Sequence, residues 1–184
     1  PLIDSEQPER AVAPATEILQ AFTQRFERHW LTGARTKLGL TTEHDGDLPL
    51  AQDWLELMRS NSADFTLAWR RLSDAAAGEH AALDALFADA PALQAWLTRW
   101  HGRAVRESTS PAARADAMRH VNPIYIPRNH RVEEALAAAS ERGDFALFER
   151  LLTVITRAFD ERSDFADYAL PALGQFTACY KTFC

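Results

Sequence analysis

The sequence predicts an all-α fold, and three observations predict it. Ala, Leu, Arg and Glu dominate the chain, and all four favour helix. Apolar residues recur at intervals of three and four, the spacing of one helix face. β-Branched residues are sparse and nowhere alternate over the length of a strand.

The elements follow in order. From Ala15 to Lys37 the apolar positions Ile18, Leu19, Phe22, Phe26 and Trp30 mark one face of a long helix, which Gly39 terminates. Thr41 to Asp47, with His44, Asp45 and Gly46, is a polar loop. A second helix runs from about Pro49 to Arg59 and buries Trp54, Leu55, Leu57 and Met58. Ser60-Asn61-Ser62 interrupts it, and Ser62 or Asp64 caps a third helix carrying Phe65, Leu67, Ala68, Trp69 and Leu72. Gly78 breaks the chain again. Leu83, Leu86 and Phe87 belong to a short helix, and Pro91 stands in the first turn of the next, which buries Leu93, Trp96, Leu97 and Trp100.

Ser110 caps a helix that opens with Pro111 and reaches about His120. Val121 to Pro127 holds prolines at 123 and 127 and cannot be regular helix. Helix resumes near Arg128 or Asn129 and runs to Glu141. Gly143-Asp144 is a stop followed by a cap, and the next helix carries Phe145, Phe148, Leu151, Leu152, Ile155 and Phe159. Beyond Asp160 the chain is loop-like, with Pro171 and Gly174. There is no internal repeat and no low-complexity tract.

Composition narrows the function classes. With 47% hydrophobic and 25% charged residues the chain can bury a core, which excludes disorder over its whole length. No apolar run approaches the roughly 20 residues needed to cross a bilayer. The first residues lack the basic and apolar regions of a secretory signal. A cytoplasmic setting without membrane contact is expected, and the missing initiator Met points to a start inside a longer protein. A net charge of −6 without a basic run argues against nucleic-acid binding. The arginines from Arg99 to Arg106, with His101, are expected on a solvated helix face. Only Lys37 and Lys181 are lysines, which with the abundant alanine points to a GC-rich bacterial genome.

Common catalytic signatures are missing. The seven glycines are scattered, and none form the G-x-G-x-x-G or Walker pattern whose backbone N–H groups approach nucleotide phosphates. There is no H-E-x-x-H, no Cys-x-x-Cys and no G-x-S-x-G. The sequence therefore supplies no catalytic, nucleotide-binding or metal-ligating set of its own. Asp160, Glu161, Asp164 and Asp167 form an acidic loop, read as solvated rather than as a metal cluster. Cys179 and Cys184 stand close together near the end, which is neither a disulfide scaffold nor a metal site.

The stretch from Met118 to Arg131 is the most unusual. It sets Asn122, Pro123, Pro127, Arg128, Asn129 and His130 between two helices. Two readings are open. Arg128 and His130 contact an anion with Asn129 as a helix cap, or Asn122 and Asn129 satisfy backbone groups around a rigid turn while Tyr125 packs its ring inward. The second is favoured.

These same residues resemble a known family. Val121-Asn122-Pro123-Ile124-Tyr125-Ile126-Pro127-Arg128-Asn129-His130, then Glu133-Glu134-Ala135-Leu136, Gly143-Asp144-Phe145 and Phe148-Glu149-Arg150-Leu151-Leu152, resemble the C-terminal region of the SelO, or YdiU, family. Thr36 to Leu40, Ser62 to Thr66, Arg70-Arg71-Leu72, Phe159-Asp160-Glu161, Tyr168-Ala169 and Tyr180 to Cys184 fit in the same order. The resemblance implies a helical C-terminal part, residues 1–184, of a protein-kinase-like fold. It implies a parent protein that transfers AMP from ATP, with Mg or Mn, to Ser, Thr or Tyr hydroxyls of protein substrates. The nucleotide, metal and base residues of that family lie in an N-terminal kinase-like part, the implied partner of this chain, so no catalytic residue is carried over. The family's tail cysteine is followed by two more residues. Cys184 matches it without them, so a chain cut at both ends is expected. In bacterial members that cysteine is implicated in a disulfide with the kinase-like part, which makes Cys184 the redox candidate. The competing reading is a freestanding helical interaction module anchored by Phe22, Phe26, Trp30, Trp54, Trp69, Trp96 and Trp100.

Overall fold

The structure, a computed structural model, describes residues 8–174, 176 and 180. Nine helices form among these residues: α1 (Pro8–Lys37), α2 (Asp47–Ser60), α3 (Phe65–Ala75), α4 (Ala81–Asp84), α5 (Ala90–Ala104), α6 (Pro111–Arg119), α7 (Asn129–Arg142), α8 (Ala146–Ile155) and α9 (Ala166–Ala169), with a 3-10 turn at Ser163–Phe165. No strand occurs among the described residues, and the segment is all-α.

Local chemistry sets several of the ends. The Asp64 side chain accepts from the Leu67 amide and starts α3, Asp89 does the same for α5 through Ala92, and Ser110 for α6 through Ala113. At the end of α1, Gly39 sits at φ 70°. Its amide bonds the Thr36 carbonyl at 3.1 Å while the Leu40 amide bonds that of Arg35 at 2.9 Å. This Schellman pairing satisfies carbonyls that the helix leaves open. Gly39 is also pressed against α6. A Cβ there would meet Arg114 Cγ at 2.5 Å and Met118 Sδ at 2.7 Å.

Two apolar clusters fill the interior. The larger joins the end of α1 with α2 to α6 through Leu38, Leu50, Trp54, Leu72, Trp100 and Met118, among others. Trp54 lies at its centre, 4.4 Å from the Trp96 ring and 5.9 Å from that of Trp69. The indoles of Trp96 and Trp100 each donate 3.0 Å bonds, to the carbonyls of Leu50 and Leu38, so burying them leaves no unsatisfied donor. The smaller cluster gathers Leu67, Ile124, Tyr125, Val154, Phe165 and Ala169. α3 serves both, through Trp69 and Leu72 on one side and Leu67 on the other.

A buried charge cluster ties α1, α2 and α5 together. Arg103 is only 7% exposed. It donates to Asp47 and Glu107 at 2.7 Å each and to the Thr42 carbonyl at 2.8 Å. Arg35 reaches the other oxygen of Asp47 at 2.8 Å. Glu107 accepts from the hydroxyls of Thr41 and Thr42. Burial alone would push the Glu107 carboxyl up, but these hydroxyl bonds and the Arg103 pair outweigh it and hold the group at about 2. Asp47 is held below the ordinary carboxylate value for the same reason, burial being outweighed by Arg103 and Arg35.

Five expectations are corrected. Arg103 is not on a solvated face, because two carboxylates balance its charge inside the protein. α1 begins at Pro8, not Ala15, and runs through Pro14, whose missing N–H leaves the carbonyl of residue 10 without its intrahelical donor. The apolar stripe of α1 faces no part of the core. Ile18, Leu19, Phe22 and Phe26 are 62%, 71%, 62% and 56% exposed. Finally, residues 163–169 form the 3-10 turn and α9 instead of a loop, in pieces too short for helical periodicity to register. α8 also ends at Ile155, so Phe159 lies beyond it, and Phe65, Phe145 and Phe148 are exposed.

Two outcomes are expected. Gly39→Ala adds left-handed strain and an overpacked contact, and should cost about 3 kcal/mol in urea unfolding. Glu107 titrates near 2 when folded against an ordinary 4.5. Its contribution is therefore complete above pH 4.5 and is lost as the pH falls from there towards 2. Glu107→Gln should cost about 3 kcal/mol at pH 7, and should lose less further stability than the parent chain between pH 5 and 2.5 in thermal melts.

Candidate functional site

The linker between α6 and α7 holds the residues that the sequence marks as unusual. It starts where α6 ends, and its two prolines keep it out of helix. Two of its backbone groups find their partner across the structure. The amides of Ile124 and Tyr125 both donate to the Ala158 carbonyl, at 2.9 and 3.1 Å. The Tyr125 hydroxyl donates to the Arg162 carbonyl at 3.0 Å and accepts from the Arg162 amide at 2.9 Å. The linker thus pins the chain after α8, and Ile124 and Tyr125 enter the smaller cluster.

Asn122 is fully buried. Its carboxamide nitrogen donates to the Lys37 carbonyl at 3.0 Å and to the Ser73 hydroxyl at 3.1 Å. Its oxygen accepts from the Lys37 ammonium at 3.2 Å. That ammonium also reaches the Val121 carbonyl at 3.2 Å and lies 5.6 Å from the centre of the Trp69 ring. Burial lowers the Lys37 pKa. Arg70, buried on α3, donates to the carbonyls of Arg119 and Asn122 at 3.1 and 3.3 Å. Pro123, half-buried, separates Asn122 from Ile124.

Arg128 closes the linker with a two-pronged ion pair. Its guanidinium donates to both oxygens of Asp64, at 2.8 and 2.9 Å. Asp64 therefore caps α3 and anchors the start of α7 at once. Burial would raise the Asp64 pKa, but Arg128 and the Leu67 amide outweigh it and lower it. The N-cap of α7 is Arg128 itself, and Asn129 is the first helical residue, exposed. The N-cap position expected of Asn129 thus falls one residue earlier, and Arg128 makes no side-chain capping bond there. His130 is half-buried, 5.9 Å from the Phe176 ring, and its pKa is lowered by burial and by Arg131.

Two of the acidic residues beyond α8 have separate partners. Glu161 pairs with Arg71 at 2.6 Å and lies 3.4 Å from Arg70. Asp164 pairs with Arg162 at 2.7 Å. Among the described residues, no three His, Cys, Asp or Glu side chains are grouped so as to hold a metal ion. A cleft of about 420 Å³ opens beside this region, lined by Leu67, Arg71, Tyr125, Glu161 and Arg162 among others. The guanidinium of Arg71 and the carboxylate of Glu161 already bind each other across it. A second cleft, of about 410 Å³, carries Arg99, Arg103, Arg106 and His44. There Arg99 is held by Asp53 at 2.7 Å, and Arg103 by Asp47 and Glu107. Cys179 and Cys184 lie outside the described residues.

The structure therefore brings Asn122, Pro123 and Arg128 together as a brace between helices, and leaves Asn129 and His130 at its rim. Nothing local to the linker marks Lys37, Ser73, Arg70 and Asp64 as the partners of that brace. Asp64 was legible as a cap but not as the acceptor for Arg128. What the arrangement does chemically is fix geometry. Its cations are held by carboxylates or by carbonyl and carboxamide oxygens, and within it no nucleophile is paired with a base. No helix of the described residues is long and apolar enough to cross a membrane.

Comparison with known proteins adds context. The family model described as protein adenylyltransferase SelO matches residues 5–156. The chain is 53% identical over 173 residues to the protein nucleotidyltransferase YdiU of Rhizobium etli (strain CIAT 652), covering 93% of this chain and 34% of that protein. It is 48% identical over its full length to the protein of the same name from Chromobacterium violaceum, covering 38% of it. To the one from Cereibacter sphaeroides (strain ATCC 17029) it is 50% identical over its full length, covering 36%. The chain thus spans little more than a third of these relatives.

A double-mutant cycle tests the brace. Arg128→Met and Asp64→Asn should each cost about 2–4 kcal/mol in urea unfolding, with a coupling energy of about 2 kcal/mol between them. Arg128→Lys should recover only part of the loss, because an ammonium cannot span both carboxylate oxygens.

Proposed function

Because this chain belongs to the protein adenylyltransferase SelO family, we propose that it is a non-catalytic helical part of a longer nucleotidyltransferase. The longer protein transfers AMP from ATP to Ser, Thr or Tyr hydroxyls of protein substrates. A kinase-like part outside residues 1–184 binds the nucleotide and its Mg or Mn. The helices described here support that part.

The observation that carries this reading is the family match combined with the inward-facing chemistry of the linker. The match runs through residues 5–156, yet the Asn122 and Arg128 side chains in its most distinctive stretch are spent on internal bonds. The residues present do not fit an ATP–metal complex. They include no glycine loop for phosphates and, among the described residues, no grouped metal ligands. No catalytic step is therefore assigned to them. Cys184 is kept as the redox candidate. In the proposed step, two thiols, that of Cys184 and one in the kinase-like part, pass two electrons and two protons to a cellular disulfide and join.

The competing reading, a freestanding module docking other proteins through aromatic faces, loses most of its anchors. Trp54, Trp69, Trp96 and Trp100 are core residues. Phe22 and Phe26 stay exposed.

The test is transfer of labelled AMP, with Mg or Mn, to protein acceptors. The polypeptide encoded by the whole reading frame should incorporate label, and residues 1–184 alone should not. Transfer by residues 1–184 alone, or none by the whole polypeptide, would overturn the reading.

A further inference from the structure

Among the described residues, α1 is the one large element whose apolar side has nothing beneath it. At about 1.5 Å per residue its 30 residues span about 45 Å. The end of the helix is held, with Ala34 buried just before the Leu38 and Leu40 anchors. From Val12 to Gly33 no residue is buried. Yet this stretch carries Val12, Ile18, Leu19, Phe22 and Phe26 on one side, all more than half exposed. Among the described residues, the Phe22 and Phe26 rings stack on each other alone, 6.1 Å apart.

A helix so placed is not stable by itself in water. Most helical stability in proteins comes from packing an apolar face, and a large exposed apolar patch marks a contact surface. Two occupants present themselves: a second copy of α1, or a folded body. The pattern decides between them. Val12, Ala15, Leu19, Phe22 and Phe26 follow a heptad, but the next two positions are His29 and Gly33. That is about two heptads, short of the three or four that sustain a coiled coil. The positions flanking this seam are Thr16, Ile18, Thr23, Arg25 and Trp30. They offer no opposite charges to pair with a second copy. Ile18 instead widens the stripe to the broad face of a helix lying on a globular core. Relatives about 50% identical over this whole chain are nearly three times as long, so their polypeptides contain such a body.

We infer that the Ile18, Leu19, Phe22 and Phe26 face of α1 is the seat on which the remainder of the longer polypeptide packs. The helix is a strut extending from the α2–α6 core into that second body. The inference rests on the reading of this chain as part of a longer protein.

Hydrogen–deuterium exchange read by mass spectrometry tests it, comparing residues 1–184 alone with the polypeptide of the whole reading frame. Amides of residues 15–30 should exchange at least about tenfold more slowly in the whole polypeptide. Phe22→Asp combined with Phe26→Asp should return them to fast exchange there, while α3 and α5 keep their protection. Gln24→Asp, away from the stripe, should change neither. Equally fast exchange in both forms would overturn the inference. So would protection that appears in residues 1–184 alone as their concentration rises, which would assign the face to a second copy. A reading frame that encodes no further domain would overturn it too. The AMP-transfer assay separates the two claims. An inactive whole polypeptide with protected α1 removes only the proposed activity, and an active one with unprotected α1 removes only the strut.

Discussion

The carboxamide of Asn122 has no water to fall back on. It is fully buried, and each of its polar atoms is satisfied by protein: the Lys37 carbonyl and ammonium at the end of α1, and the Ser73 hydroxyl on α3. An unmet bond there would leave a buried polar group at a cost of about 1–3 kcal/mol. The end of α1, the middle of α3 and the linker after α6 can therefore meet in only one way. Much follows from that meeting. Lys37 lies over Trp69, Arg70 reaches the carbonyls of Arg119 and Asn122, and Ile124 and Tyr125 are delivered to the smaller cluster. An asparagine serves where an apolar residue would not, because what needs specifying here is register.

How much of this the sequence carried depends on the range of the interaction. Signals that act over a few residues were legible. Asp64 and Ser110 as caps, Gly39 and Gly143 as stops, and the prolines of the linker all placed element ends close to where they are. Helical periodicity also found the faces of α2, α3 and α5. Interactions between residues far apart in the chain were not legible. Arg128 gives no local sign that its partner is Asp64, nor Arg71 that its partner is Glu161. The arginines of α5 read as a solvated face because charge usually stays outside. Arg103 is an exception because Asp47 arrives from 56 residues away to meet it, beside Glu107 four residues further along.

The stripe of α1 shows the same limit from the other side. Periodicity identifies an apolar face but says nothing of what the face meets. Phe22 and Trp54 look alike within a helical pattern. One is 62% exposed and the other is at the centre of the core. The family resemblance was legible because it rests on a contiguous stretch, Asn122 to His130, whose residues must occur together to build the brace. The candidate site in the sequence is thus a structural device, and its distinctiveness comes from crowded hydrogen-bond partners.

The placement of the indoles has a spectroscopic consequence. Four of the five tryptophans lie in the larger cluster, and none occurs after Trp100. Intrinsic fluorescence of the folded chain therefore originates in the α2–α5 half, and the α7–α9 half is dark at indole wavelengths. Trp30 is the exception, half-buried where α1 leaves the body of the protein. Its emission is set partly by solvent and partly by whatever lies along the helix. The molecule thus carries its own optical reporter at the root of its longest projection, distinct from the four that report on the core.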